Sequence, residues 1–184
     1  MTSAASVSGD ERLRLFLALR LPDDVLDAIE RWQRAQFVGR VRVVSRDHLH
    51  VTLAFLGHVP APELESIVDA LRDAAADAGE MRFTPARYRE TRSVGMLVLE
   101  DDGERAALLA GDVQERLERL GVYRREDRPW LPHLTVARWR EWPRLRLEPP
   151  PVGTFVPSDA AAYLSRLHPD GARYEVLESV ALGG

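Results

Sequence analysis

The chain has 184 residues, no cysteine and a formal net charge of −4 at pH 7. The lack of cysteine excludes disulfides, thiolate nucleophiles and cysteine-based zinc sites, and it fits a reducing compartment such as the cytoplasm. The negative charge argues against a broadly basic nucleic-acid coat. Charges interrupt every hydrophobic run before it reaches the ~20 apolar residues of a membrane span, so we expect a soluble protein.

The length of the chain suits one sizeable hydrophobic core. The opening residues are small and polar, with neither the basic start nor the apolar run of a signal peptide. We therefore predict a disordered tail over residues 1–11 and a single domain, built as two lobes, over residues 12–184.

Hydrophobic periodicity predicts three helices among about eight strands. Alternating leucines indicate a first strand over residues 12–20, and helical spacing indicates a helix between Pro22 and Gly39. The later elements follow in this order: strands at 41–44 and 48–57, a helix at 64–78, strands at 81–88 and 94–100, a helix ending before Gly121, a strand around residue 133, and strands at 161–167 and 174–182.

The order β-α-β-β-α-β-β-α-β-β-β places strands next to each other along the chain, which favours antiparallel pairing and an α+β fold. No glycine-rich turn joins a strand to a helix, so the sequence has neither a dinucleotide fingerprint nor a P-loop.

One five-residue pattern occurs twice. Residues 50–54 read His-Val-Thr-Leu-Ala and residues 133–137 read His-Leu-Thr-Val-Ala. In a strand, the period of two puts the histidine and threonine on one face and the apolar pair on the other. Imidazole has an unperturbed pKa near 6.5, so two such groups across a cleft can act as an acid-base pair. This arrangement suits displacement at phosphorus, with hydroxyls on the non-bridging oxygens and an arginine stabilising the charge.

Arginine supplies all 25 basic residues, and two stretches are rich in it. Seven lie within residues 121–146 and four within residues 82–92. They reflect either a compositional bias against lysine or a phosphate-binding rim. We place Arg138 closest to a phosphate. Strict alternation points its side chain away from His133, so this prediction requires a twist or a bulge at the strand end.

Two aromatic residues are candidate substrate contacts, each with a structural alternative. Phe16 faces away from the leucines of its strand and either lines the groove or has only a structural role. Trp130 stacks on a base or anchors its loop to the core. His48 shares the face of His50, and His-x-His is a metal-ligand spacing, but neither cysteine nor clustered carboxylates complete a shell nearby, so we predict no metal site.

The two motifs and their surroundings resemble the 2H phosphoesterases, and within them the RNA 2′,3′-cyclic phosphodiesterases, also called the 2′-5′ RNA ligase family. The resemblance covers roughly residues 12–182. The matching stretches are 14–18 (RLFLA) with 21–22 (LP), 49–57 (LHVTLAFLG), 128–138 (RPWLPHLTVAR), 163–165 (YLS) and 171–177 (GARYEVL).

The resemblance implies a bilobed fold of two pseudo-symmetric antiparallel-sheet lobes, with helices outside and a central groove. It implies opening of a 2′,3′-cyclic phosphate to a 2′-phosphomonoester without metal or cofactor, and reversible 2′-5′ ligation in some members. His50 and His133 then form the acid-base pair, and Thr52 and Thr135 hold the phosphate. Our hypothesis makes His133 the base that activates water and His50 the acid for the 3′ oxygen.

The expected substrates are RNA or oligonucleotide ends with a 2′,3′-cyclic phosphate, or small cyclic nucleotides. One alternative is a phosphodiesterase for another cyclic or 2′-5′-linked nucleotide. A second is a nucleotide-binding or RNA-binding module without turnover, against which the two complete His-Thr pairs argue. We expect a cytoplasmic monomer that does not interact with membranes.

Overall fold

The computed structural model describes residues 11–39 and 41–183, so residues 1–10 of the predicted tail lie outside the described residues. The order of strands and α-helices is the predicted one. The strands are β1 (Arg12–Arg20), β2 (Arg42–Val43), β3 (Val51–Pro60), β4 (Phe83–Glu90), β5 (Val94–Asp101), β6 (His133–Arg138), β7 (Asp159–His168) and β8 (Gly171–Val180). The helices are α1 (Asp23–Gln36), α2 (Leu64–Ala76) and α3 (Arg105–Arg119).

All strand pairs are antiparallel, and the strands form one sheet in the order β4-β5-β6-β3-β1-β7-β8, with β2 paired to β6. The sheet has two halves, β4-β5-β6 and β3-β1-β7-β8. The strands that meet at its centre, β6 and β3, carry the two His-Thr motifs. A single residue pair, Val51 with Leu134, joins β3 to β6. The predicted α+β class and the two-lobed arrangement are therefore confirmed.

One hydrophobic core joins the apolar stripes of the three helices to one face of the sheet. The helices contribute side chains at helical spacing, such as Ile29 of α1 and Leu117 of α3, both 0% exposed. A smaller cluster forms on the opposite face of the sheet from Phe16, Tyr163 and two alanines. Because β1 lies between β3 and β7 and is covered on both faces, Phe16 and the leucines at 15, 17 and 19 are all buried.

The third strand begins later than predicted. We expected a strand from residue 48, but Arg46–His48 form a 3-10 turn and β3 begins at Val51. Arg46 makes ion pairs of 2.8 Å with Asp23 and 2.5 Å with Asp27 of α1, which hold this turn against the helix. His50 therefore lies at the junction of turn and strand. Among the described residues, no helix is long and apolar enough to cross a membrane.

Candidate active site

The two His-Thr motifs lie side by side at the centre of the sheet. Since Val51 pairs with Leu134, the antiparallel register sets His50 opposite Thr135 and Thr52 opposite His133. Val51 and Leu134 are buried, so the four polar side chains share the other face. The two histidines occupy diagonal positions, which on a sheet lie roughly 7–8 Å apart. A phosphate group fits between imidazoles at such positions.

A cleft of about 510 Å³ opens over this face. Of the predicted site residues, six line it and Trp130 does not. The lining residues are Arg14, Phe16, Arg42, Val43, Val44, Ser45, His48, His50, Thr52, Phe55, His133, Thr135, Arg138, Ala172 and Tyr174.

The charge of the cleft is positive. Arg14, Arg42 and Arg138 line it, and within the described chain no aspartate or glutamate does. Neither Arg42 nor Arg138 lies within ion-pair distance of a carboxylate among the same residues. Guanidinium groups without carboxylate partners suit the recognition of phosphate. The cleft is therefore built for an anion.

The predicted arginine-rich stretches contribute only Arg138 to this lining. Others pair with carboxylates close in sequence, as Arg128 does with Glu126 at 2.5 Å and Arg82 with Glu80 at 2.6 Å. Of the two alternatives left open, a compositional bias therefore accounts better for most of these arginines than a phosphate-binding rim does. Sequence reasoning missed Arg14 and Arg42, although Arg14 shares the strand face of Phe16 and could have been found from that period of two.

Arg138 reaches the cleft because β6 contains a bulge. Thr135 and Ala137 pair with the consecutive residues Met96 and Gly95 of β5, which leaves Val136 as an extra residue. A bulge shifts the alternation of every later side chain by one position. Arg138 therefore lies on the face of His133 rather than opposite to it, which meets the condition that its prediction required.

The first motif contains the same bulge at the equivalent position. Thr52 and Ala54 pair with consecutive residues of β1, which leaves Leu53 as the extra residue. Strict alternation along the predicted strand at 48–57 puts Phe55 on the apolar face with Leu53, and this is wrong: Phe55 is 48% exposed and lines the cleft. Leu53 and Ala54 are both buried, so the alanine of the repeated pattern occupies a position with little room.

A main-chain hydrogen bond orients the imidazole of His133. Its Nδ1 lies 2.8 Å from the carbonyl oxygen of Leu131. A carbonyl only accepts hydrogen bonds, so Nδ1 carries a proton and donates it. In the neutral ring the lone pair is then on Nε2, which makes this nitrogen a proton acceptor.

His50 is held in a more apolar environment. Its ring stacks on Phe16 with centroids 4.9 Å apart, and Tyr174 approaches with its centroid at 5.7 Å. Its buried Nδ1 has no hydrogen-bond partner among the described residues. Burial lowers the pKa of His50 to about 4, and the positive charges of His48, His133 and Arg138 act in the same direction.

This lowered pKa makes His50 a source of acid sensitivity. The unfolded chain binds a proton near pH 6.5, but the folded chain does so only near pH 4, so the stability contributed by neutral His50 is present above pH 6.5 and lost between those values. Urea unfolding of the wild type and His50→Gln at pH 7.5 and 4.0 measures the effect. The wild type should lose more stability than the variant, by about 3 kcal/mol.

The exposed His168 provides the matched control, because it lies outside the cleft. His168→Gln should lose as much stability on acidification as the wild type does. If His50→Gln also behaves like the wild type, His50 is not held neutral by the fold.

The predicted aromatic contacts have different environments. Phe16 lines the cleft but is only 3% exposed, so it forms the floor under His50. The indole nitrogen of Trp130 donates a 2.9 Å hydrogen bond to the carbonyl of Thr52, and this joins the loop before the second motif to the first motif. Tyr174, which was not predicted as a contact, packs against His48 with centroids 4.3 Å apart and forms part of the wall.

Across residues 11–39 and 41–183, no three histidine or carboxylate groups are arranged to hold a metal ion.

A single antiparallel sheet that carries two paired His-Thr motifs over a basic cleft is the architecture of a 2H phosphoesterase. The chain belongs to the 2′-5′ RNA ligase superfamily, whose family model matches residues 21–169.

Several relatives support this membership. The RNA 2′,3′-cyclic phosphodiesterase of Thermus thermophilus is 32% identical over 182 residues, which cover 94% of this chain and 91% of that protein. The RNA 2′,3′-cyclic phosphodiesterase of Escherichia coli is 32% identical over 130 residues, which cover 70% of this chain and 73% of that protein. The crystal structure of E. coli LigT in its apo form superposes with a TM-score of 0.82 at 25% identity, over 95% of this chain and 100% of that one.

Proposed function

We propose that this protein is an RNA 2′,3′-cyclic phosphodiesterase that opens the cyclic phosphate at RNA ends or in small cyclic nucleotides to a 2′-phosphomonoester. The observation that carries the proposal is the Val51–Leu134 pair, which brings two imidazoles and two hydroxyls to one face of the sheet. The curated relatives bear the same functional name. The same step, with the 5′ hydroxyl of a second RNA end in place of water, is the proposed 2′-5′ ligation, and attack of the freed 3′ hydroxyl on the new 2′-5′ linkage reverses it.

The reaction needs one proton removed and one supplied. The Nε2 of His133 takes a proton from water as the water oxygen bonds to phosphorus. The bond from phosphorus to the 3′ oxygen breaks, and imidazolium at His50 protonates that oxygen, so that it leaves as a hydroxyl. The pair ends with His133 protonated and His50 neutral, and exchange with solvent restores the starting forms.

The hydrogen bond to Leu131 supports the division of roles, because it leaves Nε2 of His133 as the proton acceptor. Burial disfavours the protonated form of His50, whose pKa is about 4 in the protein alone. A phosphodiester anion beside it raises that pKa, because an opposite charge favours imidazolium. Binding of the substrate thus prepares the acid.

The remaining polar groups act on the phosphate itself. The hydroxyls of Thr52 and Thr135 donate hydrogen bonds to the non-bridging oxygens, and Arg138 stabilises the added negative charge of the transition state. Trp130 acts through Thr52, whose main chain it holds, rather than on the substrate. These groups supply both proton transfer and charge stabilisation, so the proposed reaction needs no metal.

All of these groups come from one chain, and we propose that a monomer is the active form. The lack of cysteine in the sequence fits a reducing compartment, and we propose the cytoplasm.

The test is product analysis on an oligonucleotide that ends in a 2′,3′-cyclic phosphate, with and without a chelator. We expect conversion to the 2′-phosphomonoester at equal rates in both. Binding without hydrolysis would favour a nucleotide-binding module, and loss of activity only in the chelator would favour a metal enzyme.

A further inference from the structure

Two glutamine side chains are buried on the core side of the cleft. Gln33 of α1 is 2% exposed and Gln114 of α3 is 7% exposed. With Ser165, they make up the buried polar residues of the described chain. An amide group is costly to bury unless it is hydrogen-bonded, so the partners of these two indicate why they lie there.

Each glutamine binds the carbonyl of the extra residue in one of the two bulges. Nε2 of Gln114 donates a 2.9 Å hydrogen bond to the carbonyl of Leu53, and Nε2 of Gln33 donates a 2.9 Å hydrogen bond to the carbonyl of Val136. The extra residue of a bulge lacks its regular partner in the ladder. The side-chain amides therefore supply a donor to the carbonyl of the extra residue in both motifs.

Each of the two glutamines lies on a helix from one half of the sheet and binds the motif of the other half. The helix α1 follows β1, which pairs with the strand of the first motif, yet Gln33 binds the second motif. The helix α3 follows β5, which pairs with the strand of the second motif, yet Gln114 binds the first. Each half therefore supports the bulge of the other, and the pseudo-symmetry of the motifs extends to these helices.

Gln33 also reaches the wall of the cleft. Its amide donates a second 2.9 Å hydrogen bond to the carbonyl of Val44, and the main-chain nitrogen of Val44 donates to Val136 at 3.0 Å. Both N–H donors of the amide are thus used, and one residue ties the bulge of β6 to a lining segment.

We infer that Gln33 and Gln114 are positioning residues for the reaction proposed above. Each holds a bulge that directs the residue after the five-residue pattern into the cleft. Gln33 acts in this way on Arg138, and Gln114 acts on Phe55. Without the bulge, strict alternation would direct both side chains toward the core. This inference rests on the proposed function only for its kinetic consequences.

The two glutamines therefore have different effects on catalysis. Gln33 acts on the arginine that stabilises charge at phosphorus, so its loss lowers kcat. Gln114 acts on the half-exposed ring of Phe55, which lines the cleft with the guanidinium of Arg14 over it at 4.6 Å from the ring centroid, so its loss disturbs a nucleotide-binding wall and raises KM for nucleotide substrates. A general loss of structure would not lower kcat in one variant and raise KM in the other.

The experiment compares Gln33→Met and Gln114→Met, which keep side-chain length and remove the donor. We expect Gln33→Met to lower kcat about tenfold, and Gln114→Met to raise KM about tenfold, as displaced groups of these kinds do. Leu117→Met, a buried substitution on α3, is the control and should change neither parameter. Circular dichroism establishes that each variant is folded at the assay temperature.

Double-mutant cycles separate positioning from general destabilisation. The kinetic defect of Gln33→Met should disappear in an Arg138→Gln background and persist in Phe55→Ala. That of Gln114→Met should disappear in Phe55→Ala and persist in Arg138→Gln. Additive effects in all four combinations would overturn the inference, as would unchanged kcat and KM in both single variants.

Binding of inorganic phosphate gives a readout that does not require turnover. Gln33→Met should weaken it, but less than Arg138→Gln does because the arginine is displaced rather than removed, and Gln114→Met should leave it unchanged. If the wild type does not hydrolyse the substrate, the proposed function fails and this comparison still decides the inference. Should Gln33→Met fail to fold, Gln33→Asn, whose shorter amide cannot reach Val136, takes its place.

Discussion

His50→Ala and His133→Ala should each lower kcat/KM for opening of a 2′,3′-cyclic phosphate by about 10²- to 10⁴-fold, the range that positioned acid-base groups contribute. The two histidines act in one step, so the double variant should be little slower than the slower single variant. The exposed His168 lies outside the cleft, and His168→Ala should retain wild-type rates. Equal rates for all three single variants would remove both histidines from the mechanism.

The same variants assign the acid and the base. In a substrate with sulfur in place of the bridging 3′ oxygen, the leaving thiolate needs no proton. Single-turnover measurements with this substrate should restore the rate of His50→Ala but not that of His133→Ala, because only His133 activates the water. Selective rescue of His133→Ala would reverse the two roles.

Arg138→Gln should lower kcat by about 10²- to 10³-fold, as expected when one donor to a developing charge is removed. Arg138→Lys should recover only part of this loss, because an ammonium group lacks the two-pronged geometry of guanidinium. Steady-state kinetics on the cyclic-phosphate oligonucleotide measures both effects.

Arg140 offers a matched control. It is an exposed arginine two positions further along the chain, and it does not line the cleft. Arg140→Gln should remain at wild-type kcat. If Arg138→Gln and Arg140→Gln lose activity to the same small extent, the arginine contributes only to the general positive field, and the bulge in β6 has no catalytic consequence.

Regular elements could be predicted from the sequence because their buried faces repeat with a fixed period. The alternating leucines of β1 and the stripe of α2 have such periods, and the order of strands and helices was correct. The repeated His-Thr pattern likewise brought the four polar residues of the site to one face. Its pairing at Val51 and Leu134 is the structural reason that two distant stretches act together.

The bulges could not be predicted in the same way, because the period of two assumes one residue for each partner. The extra residues Leu53 and Val136 are apolar and buried, as regular core residues are, so nothing in their type marks them. Phe55 was misplaced for this reason. The side-chain amides that donate to the carbonyls of these two residues belong to Gln33 and Gln114. Both lie on helices distant in sequence, so the residues around the motifs do not reveal them.

The other basic residues of the cleft could not be predicted for a different reason. Local clusters of arginine left a rim open, but of their eleven members only Arg138 lines the cleft, and Arg82, Arg125 and Arg128 pair with carboxylates instead. Arg14 and Arg42 come from separate strands, and only the folded sheet brings them to one cleft. Clustering in sequence therefore did not identify the arginines of the site, apart from Arg138.

The most direct test of the account is a crystal structure of the protein with inorganic phosphate. We predict one phosphate over the β3–β6 pair, with oxygens within hydrogen-bond distance of the imidazoles of both His50 and His133 and of the guanidinium of Arg138. An anion held by the arginines alone, or by a single imidazole, would contradict the assignment of the two histidines as one acid-base pair.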